Sequence, residues 1–299
     1  SNVYQFLVAT IAKISVQTKL VLHVTDFEEF FVFKNIKSPV GIIKSIFKTI
    51  VVKLFPLISD GITIISPNLK EYVLKTKAKK KHLIHILLPY TPKNYFSVSK
   101  KYMKKLKKDK FWFLFFGSIS KFQGIEEIIK SFLKADIKNT QLIIIGEGPL
   151  KNHLEAKYKH NKNIIFLKSL NRKELFCFCK LSDCILCYFP FEAINELRLP
   201  AKLRESMFFG KPIITTNIGF CKLLSNTAVL KVRFNEKALT EAMRKVYYNK
   251  SLRQRLSQEI KKEFKKWFQN ENNIYNLLLF YEIISTNFYH VFKNSLKNL

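Results

Sequence analysis

From residue 111 onward the chain alternates short apolar runs with longer amphipathic stretches. Phe111–Phe116 is wholly apolar and ends at Gly117. Ile125, Ile128, Ile129, Phe132 and Leu133 then recur at the spacing of one helix face. Leu142–Ile145 is the next apolar run, ended by Gly146, and a polar, helix-like stretch follows to about Lys159. Ile164–Leu167, Ile185–Phe189 and Ile213–Thr216 read as further strands, with helices over Arg172–Leu181 and Ala201–Phe209 between them. Ala228–Val232 is a weaker sixth strand, and helices over Glu236–Asn249 and Ser251–Phe268 complete the region. Strands apolar on both faces, separated by amphipathic helices, predict an α/β domain with a doubly wound parallel sheet. Ligands of such a sheet sit at the carboxyl ends of its strands.

The first hundred residues carry fewer such units. Leu20–Val24, Gly61–Ile65 and Leu83–Leu88 read as strands, the last ending at Pro89. Val40–Phe55 is a long apolar and basic helix stopped by Pro56, and Ser66 is placed to cap a helix running to about Lys77. Three strands and two helices predict an incomplete Rossmann-like domain over residues 1–99. The basic stretch Lys100–Lys110 reads as the connection to the second domain, residues 100–268.

Composition narrows this picture only in part. At 299 residues and 47% hydrophobic content the chain can bury substantial cores. Fifty-two Lys and Arg against 22 Asp and Glu give a net charge of +30. Such a surface attracts anions, whether phosphorylated substrates, anionic lipid or nucleic acid. A solvated surface in a Lys-rich composition explains the same charge equally well, so charge alone names no partner. No recognition helix, zinc finger or RNA-binding aromatic motif is present, and nucleic acid is not an expected partner. Lys44, Lys48 and Lys53 punctuate the apolar helix 40–55, the pattern of helices that lie on anionic membranes; a core-packed helix is the competing reading.

Cys184 and Cys187 form a C-x-x-C, but inside an apolar run. Residues three apart on a strand point to opposite faces, so the pair suits neither zinc nor a redox turn, and no metal is expected. The odd total of five cysteines, the lack of a signal peptide and the absence of a 20-residue apolar span fit a cytoplasmic protein. The chain opens on Ser1 and Asn2 with no Met, which reads as a trimmed chain or a fragment.

The chemistry concentrates in Pro200-Ala-Lys-Leu-Arg-Glu-Ser-Met-Phe-Phe-Gly-Lys-Pro212. Pro200 stands at a helix start, where free N–H groups and the helix dipole attract phosphate. Lys202 and Glu205 are three apart and share a helix face: a cation near a phosphate site, and an acceptor suited to a ribose diol. A surface Lys–Glu pair on an ordinary helix is the bland alternative.

This segment, P-x-K-L-x-E-x-M-x-x-G-K-P, resembles the second half of the donor signature of retaining glycosyltransferase family 4, enzymes of the GT-B fold. Other pieces fall in the same order. Gly117-Ser-Ile-Ser-Lys-Phe-Gln-Gly124 and Gly146-Glu-Gly-Pro149 resemble the first two loops of that family's nucleotide domain, and Ser182-Asp183 precedes the strand leading to the motif. Asp60–Ser66, Leu88-Pro-Tyr90 and Phe96 resemble the acceptor domain, and Trp267 with the helix beyond it resembles a segment, 269–299, that crosses back to the first domain. The resemblance implies two Rossmann-like domains facing a cleft, the N-terminal one incomplete. It implies transfer of a sugar from a nucleotide-diphosphate sugar to a glycan or lipid-linked acceptor, with retention and without a metal. The nucleotide-sugar is then a substrate and no resident cofactor is expected. The implied catalytic residues are Lys202, Glu205 and Asp26, and the implied donor-binding residues are Gly117, Ser118, Lys121, Gln123, Gly124, Gly146, Gly148 and Glu196, together with Lys202 and Glu205.

The chain departs from that pattern at three places. Ser118 and Gln123 stand where the family usually carries Arg and Lys against the diphosphate, and Lys121 or Lys202 is placed to compensate. Leu197 stands where the first motif glutamate is expected, with Glu196 one step away. Thr25 precedes Asp26 where a His is common, and His23 lies on the same side of the strand. A nucleotide-sugar epimerase and a non-catalytic scaffold binding polyanions or membranes are the alternatives within the same fold. A cytoplasmic protein, peripheral on the cytosolic membrane face, fits the leading reading.

Overall fold

In the computed structural model the described residues are 2–24, 46, 50, 54, 57–76, 83–86, 100 and 109–285. Asp26, most of the expected helix 40–55, residues 87–99 and most of the connection 100–110 lie outside them. The chain divides into two compact units, Ser1–Tyr90 with Asn270–Leu299, and Thr91–Gln269.

The first unit contains α1 (Asn2–Ser15), β1 (Val21–Val24), β2 (Gly61–Ile64), α2 (Pro67–Thr76) and β3 (Leu83–Ile86). Its sheet is parallel in the order β1-β2-β3, with Leu22 opposite Ile62 and Ile62 opposite Ile84. Ser66 caps α2 as expected, its hydroxyl accepting from Leu69 N at 3.2 Å. The pattern did not reveal α1. Its Lys13 donates to the Asp60 carboxylate at 2.5 Å and to the Ile58 carbonyl at 2.7 Å, which ties α1 to the start of β2.

The second unit runs β4 (Phe111–Phe116), α3 (Ile125–Ala135), β5 (Thr140–Ile145), α4 (Lys151–Tyr158), β6 (Ile164–Leu167), α5 (Arg172–Leu181), β7 (Cys184–Cys187), α6 (Ala193–Leu197), α7 (Ala201–Phe208), β8 (Ile213–Thr216), β9 (Leu230–Val232), α8 (Glu236–Tyr248) and α9 (Lys250–Phe268). The last described helix, α10 (Asn272–Ser285), belongs to the first unit, where Phe280 and Ile284 lie over Gly61 of β2.

The strand order of the second sheet is β6-β5-β4-β7-β8-β9, parallel throughout. The chain therefore starts in the middle, runs to one edge, returns, and runs to the other. The reversal falls between β4 and β7, the topological switch point at which such sheets open a crevice for ligand. The central strands β4, β7 and β8 are buried on both faces, β4 wholly apolar and β7 and β8 carrying only Cys and Thr besides, whereas the edge strands β6 and β9 are partly exposed. Phe113 and Phe115 sink into the cluster formed with α3 and α8, whereas Trp112 stacks on Phe178 of α5, with ring centres 5.8 Å apart. Each such aromatic stabilises the fold by about 1.5–3 kcal/mol relative to exposure.

Local signals set the helix starts. Asn171, Asn235 and Asn249 accept from Glu174 N, Ala238 N and Leu252 N at 3.0, 2.7 and 2.8 Å, capping α5, α8 and α9. Asp183 joins the switch-point strands: its carboxylate accepts from Trp112 N at 2.8 Å and its own N–H donates to Trp112 O at 3.0 Å. The expected strand Ile185–Phe189 is shifted to Cys184–Cys187. Tyr188 and Phe189 are buried, but the Phe189 N–H leaves the ladder for the Thr216 hydroxyl at 3.1 Å. The expected strand Ala228–Val232 shortens to Leu230–Val232, because Ala228 and Val229 N–H groups turn back to the Ser225 carbonyl. The short helix α6 lies in a loop where no helix was expected.

Candidate functional site

The motif residues meet at the carboxyl ends of β4, β5 and β6. There a cavity of about 340 Å³ is lined by Phe116–Ser118, Ile145–Glu147, Ser169, Leu170 and Leu175, and by Ala201, Lys202 and Glu205 at the start of α7. A second cavity of about 580 Å³ opens beside the edge strand β9, lined by Phe191, Asn217, Asn226 and residues 229–233. It holds no carboxylate and none of the motif residues. The smaller cavity is the candidate because it lies beside the switch point and gathers the chemistry.

Glycine makes its floor. Gly117 N–H donates to the Ile145 carbonyl at 2.9 Å, and Gly146 N–H to the Leu167 carbonyl at 3.1 Å, so each loop continues the sheet by one step. A Cβ at Gly146, whose φ is +149°, would collide with the Gly117 carbonyl. Gly117, at φ +123°, leaves room for the Lys202 stem, since a Cβ there would sit 3.4 Å from Lys202 Cε. The two loops thus lie backbone to backbone, and glycine at both positions is what allows that approach.

Helix α7 supplies the charged groups. Pro200 is its N-cap in extended conformation, and Leu203 N–H already donates to the Pro200 carbonyl. The α7 dipole favours an anion at this end. Lys202 and Glu205 are both buried, at 7% and 8% exposure, so the reading of an ordinary surface pair fails. They do not bond each other. Lys202 Nζ lies 3.7 Å above the centre of the Phe115 ring and donates to Gln123 Oε1 at 3.0 Å. Burial, opposed by Cys187 and reinforced more weakly by Arg198, brings the Lys202 ammonium down to about 7. Burial likewise raises the Glu205 carboxyl above its ordinary range, with Arg204 and Arg172 opposing. A buried carboxylate and a readily titrated ammonium on one cavity wall are a common signature of a working site.

The other expected residues fall nearby or elsewhere. Ser118 lines the cavity. Gln123 touches it through Lys202, Gly124 takes a left-handed turn at φ +60° against Tyr188, and Gly148 lies on the Ile119 backbone. Lys121 is exposed over Phe122 and does not line the cavity. Glu196 faces away: it pairs with Lys222 and accepts from Gly219 N at 3.2 Å. His23 of β1 bonds the Thr63 hydroxyl at 2.7 Å, and burial pulls its imidazole below the usual value. Sequence reasoning missed Glu147, whose carboxylate accepts from Lys151 at 2.7 Å and Ser169 N at 3.4 Å, and the wall Ser169–Leu170. Glu147 lay inside the quoted Gly146–Pro149 loop; Ser169 and Leu170 carry no motif beyond their place after a strand.

The cysteines act as core residues. Cys184 packs with Leu186 into the α3–α8 cluster, while Cys187 points the other way to Ser206 of α7 at 3.7 Å. No group of three His, Cys, Asp or Glu able to hold a metal occurs among the described residues. No helix among them is long and apolar enough to cross a membrane.

The model of the family described as glycosyl transferases group 1 matches residues 98–263. The chain belongs to that family. Its fold is the GT-B fold of glycosyltransferases, with a Rossmann-like sheet in the second unit and a three-stranded parallel sheet described in the first. An Escherichia coli protein, O-antigen chain mannosyltransferase C, is 24% identical over 180 residues, which is 56% of this chain and 47% of that one. An uncharacterized glycosyltransferase of Methanocaldococcus jannaschii is 34% identical over 121 residues, 39% of this chain and 28% of that one. The chain thus spans less than half the length of these curated relatives. Among solved structures, HepE of Anabaena in complex with UDP and glucose superposes with a TM-score of 0.70 at 12% identity, covering 94% of this chain and 75% of that one. Sucrose-phosphate synthase of Thermosynechococcus elongatus gives 0.67 at 15%, covering 94% and 72%.

Proposed function

We propose that this group 1 glycosyltransferase binds a nucleoside-diphosphate sugar in the cavity at the β4–β7 switch point and transfers the sugar to a glycan or lipid-linked acceptor. The observation that carries the reading is that Lys202 and Glu205, both buried, stand on the wall of one cavity floored by Gly117 and Gly146. The diphosphate lies at the start of α7, against Lys202 and the loop at Gly117 and Ser118. The ribose lies against Glu205, whose carboxylate accepts from its hydroxyls. The family membership and the UDP seen with the structurally similar HepE support this assignment.

In the proposed reaction the bond from the anomeric carbon to the diphosphate oxygen breaks and its electron pair leaves with the diphosphate, while an acceptor hydroxyl oxygen bonds to the same carbon and gives its proton to the departing diphosphate. The Lys202 ammonium and the free N–H groups of α7 meet that growing charge, the kind of preorganised stabilisation that lowers a barrier most. The sugar keeps its anomeric configuration, and the donor is a substrate rather than a resident cofactor. Asp26 is the proposed acceptor-side group.

The acceptor class rests on the O-antigen relative and on the net charge of +30, which suits a phosphate-bearing or membrane-borne acceptor. Ile46, Ile50 and Leu54 are helical and exposed at one-face spacing, which supports contact with an anionic membrane surface. Sedimentation with acidic vesicles at low salt tests that contact; failure to co-sediment counts against it.

The activity itself is tested by following release of nucleoside diphosphate from UDP-, GDP- and ADP-sugars with and without a glycan or lipid-linked acceptor. Acceptor-dependent release supports transfer. A changed sugar without any acceptor identifies an epimerase instead. Binding with no turnover under any condition identifies the non-catalytic scaffold, which the neutral Ser118 and Gln123 would favour.

A further inference from the structure

We propose that the ammonium meeting the donor diphosphate is delivered by the α7 residue Lys202 and aimed by Gln123, a positioning residue, so that donor binding draws a proton onto Lys202. The inference rests on the donor-site reading above and goes further, to how the site is charged and regulated.

The loop from Gly117 to Gly124 carries a single cation, Lys121, which is exposed and does not line the cavity. Among the described residues lining the cavity, Lys202 is the one cation. Its ammonium has three N–H donors. One is spent on Gln123 Oε1 at 3.0 Å, a bond that spans the loop and the helix. The rest of the group lies over the Phe115 ring at 3.7 Å, with Phe189 farther away at 5.6 Å. No carboxylate among the described residues pairs with it. A neutral acceptor at position 123 is what this geometry requires, because a second ammonium there would face the first.

Before a donor binds, burial rather than the neighbouring charges favours the neutral amine of Lys202. Cys187 of β7 is a buried thiol pushed up to about 11 and carries no charge near neutrality. Arg198, ahead of α7, disfavours a second cation. Glu205, one turn along α7, and Glu147 in the β5 loop line the same cavity. Burial dominates and brings the ammonium down to about 7. An arriving diphosphate supplies the missing counter-charge, so the bound state holds the proton more tightly than the free state. By linkage, affinity is full below the free value and falls as pH rises through it.

The test uses UDP-glucose, GDP-mannose and ADP-glucose as probes, because their diphosphates do not titrate near neutrality; the tightest is carried forward. Calorimetry at pH 7 in buffers of different ionisation enthalpy should read about half a proton taken up per donor bound. Between pH 7 and 9 the Kd should weaken by up to about tenfold per pH unit. Lys202→Met should remove both the slope and the uptake, and bind more weakly at pH 7. Gln123→Leu should move the onset of the slope to lower pH, with affinity recovering at pH 6, a readout that a purely structural role would not shift. The exchange Gln123→Lys with Lys202→Gln should regain binding lost in Lys202→Gln alone. A wild-type Kd independent of pH with no proton uptake would overturn the proposal, as would a Gln123→Leu variant with the wild-type pH profile. A wild type that binds none of the three probes would overturn the donor-site reading itself.

Discussion

Replacing Glu205 by Gln separates what this residue contributes to binding from what it costs the fold. The carboxylate is buried at 8% exposure, and burial raises its pKa. In the folded chain the proton is therefore held more tightly than in the unfolded chain. The sign follows: the ionised group destabilises the fold once pH has risen from the unfolded value of 4.5 through the higher folded one, and it continues to do so at neutral pH. The near-isosteric amide escapes this cost, so the variant without ligand should melt at the wild-type temperature or above it. The difference should shrink toward pH 4. Donor binding should move the other way. The amide keeps one acceptor oxygen and loses charge assistance, which for two hydrogen bonds to a ribose diol amounts to about 2–2.7 kcal/mol, or roughly 30–100-fold in Kd. With the donor at about 100 times the wild-type Kd, the wild type gains about 2.7 kcal/mol and a hundredfold weaker variant only about 0.4 kcal/mol. At about 2–4 °C per kcal/mol for a unit of this size, a wild-type shift of about 5–10 °C should fall to about 2 °C or less. Differential scanning fluorimetry with and without donor reads both effects. A variant that keeps the full ligand-induced shift would refute the placement of the ribose, and a variant that melts several degrees lower without ligand would refute the account of Glu205 as a strained group.

Three further outcomes follow from the same geometry. Gly146→Ala drives a Cβ into the Gly117 carbonyl and should part the β4 and β5 loops, lowering both Tm and donor affinity; an unchanged melting curve would contradict the close loop packing. Asn171→Ala removes the α5 cap and should cost about 1 kcal/mol, read by urea unfolding at unchanged m. All five cysteines are buried, and burial raises the thiols of Cys179, Cys184, Cys187 and Cys221, so the native protein should resist a thiol reagent at neutral pH and react fully in denaturant.

The alternation of apolar runs and helical faces was enough to expose the second unit, because strands buried on both faces, such as Phe111–Phe116 and most of Thr140–Ile145, lack the polar alternation of a half-exposed strand. Strand ends were less legible: Tyr188 and Phe189 are as apolar as β7 but leave the ladder for Thr216, a choice made by a tertiary hydrogen bond. Helix α1 was invisible because its anchor, Lys13 on Asp60, joins residues far apart in sequence. In the site, Lys202, Glu205 and the glycines were legible through their motif, and the structure brings Lys202, Glu205, Gly117, Ser118 and Gly146 to one cavity. The bond from Lys202 to Gln123 was not, since it depends on how loop and helix meet in space. Glu196 shows the reverse: adjacent to the motif in sequence, it turns away to Lys222 and the Gly219 N–H.

The central claim is that the cavity at the switch point is a nucleotide-sugar site. Titration of the chain with UDP-, GDP- and ADP-sugars in a calorimeter tests it most directly. The account predicts saturable one-site binding of at least one of these donors, competed by its free nucleoside diphosphate and weakened roughly 30–100-fold by Glu205→Gln. Flat titrations with all three donors, or binding that Glu205→Gln leaves intact, would contradict it.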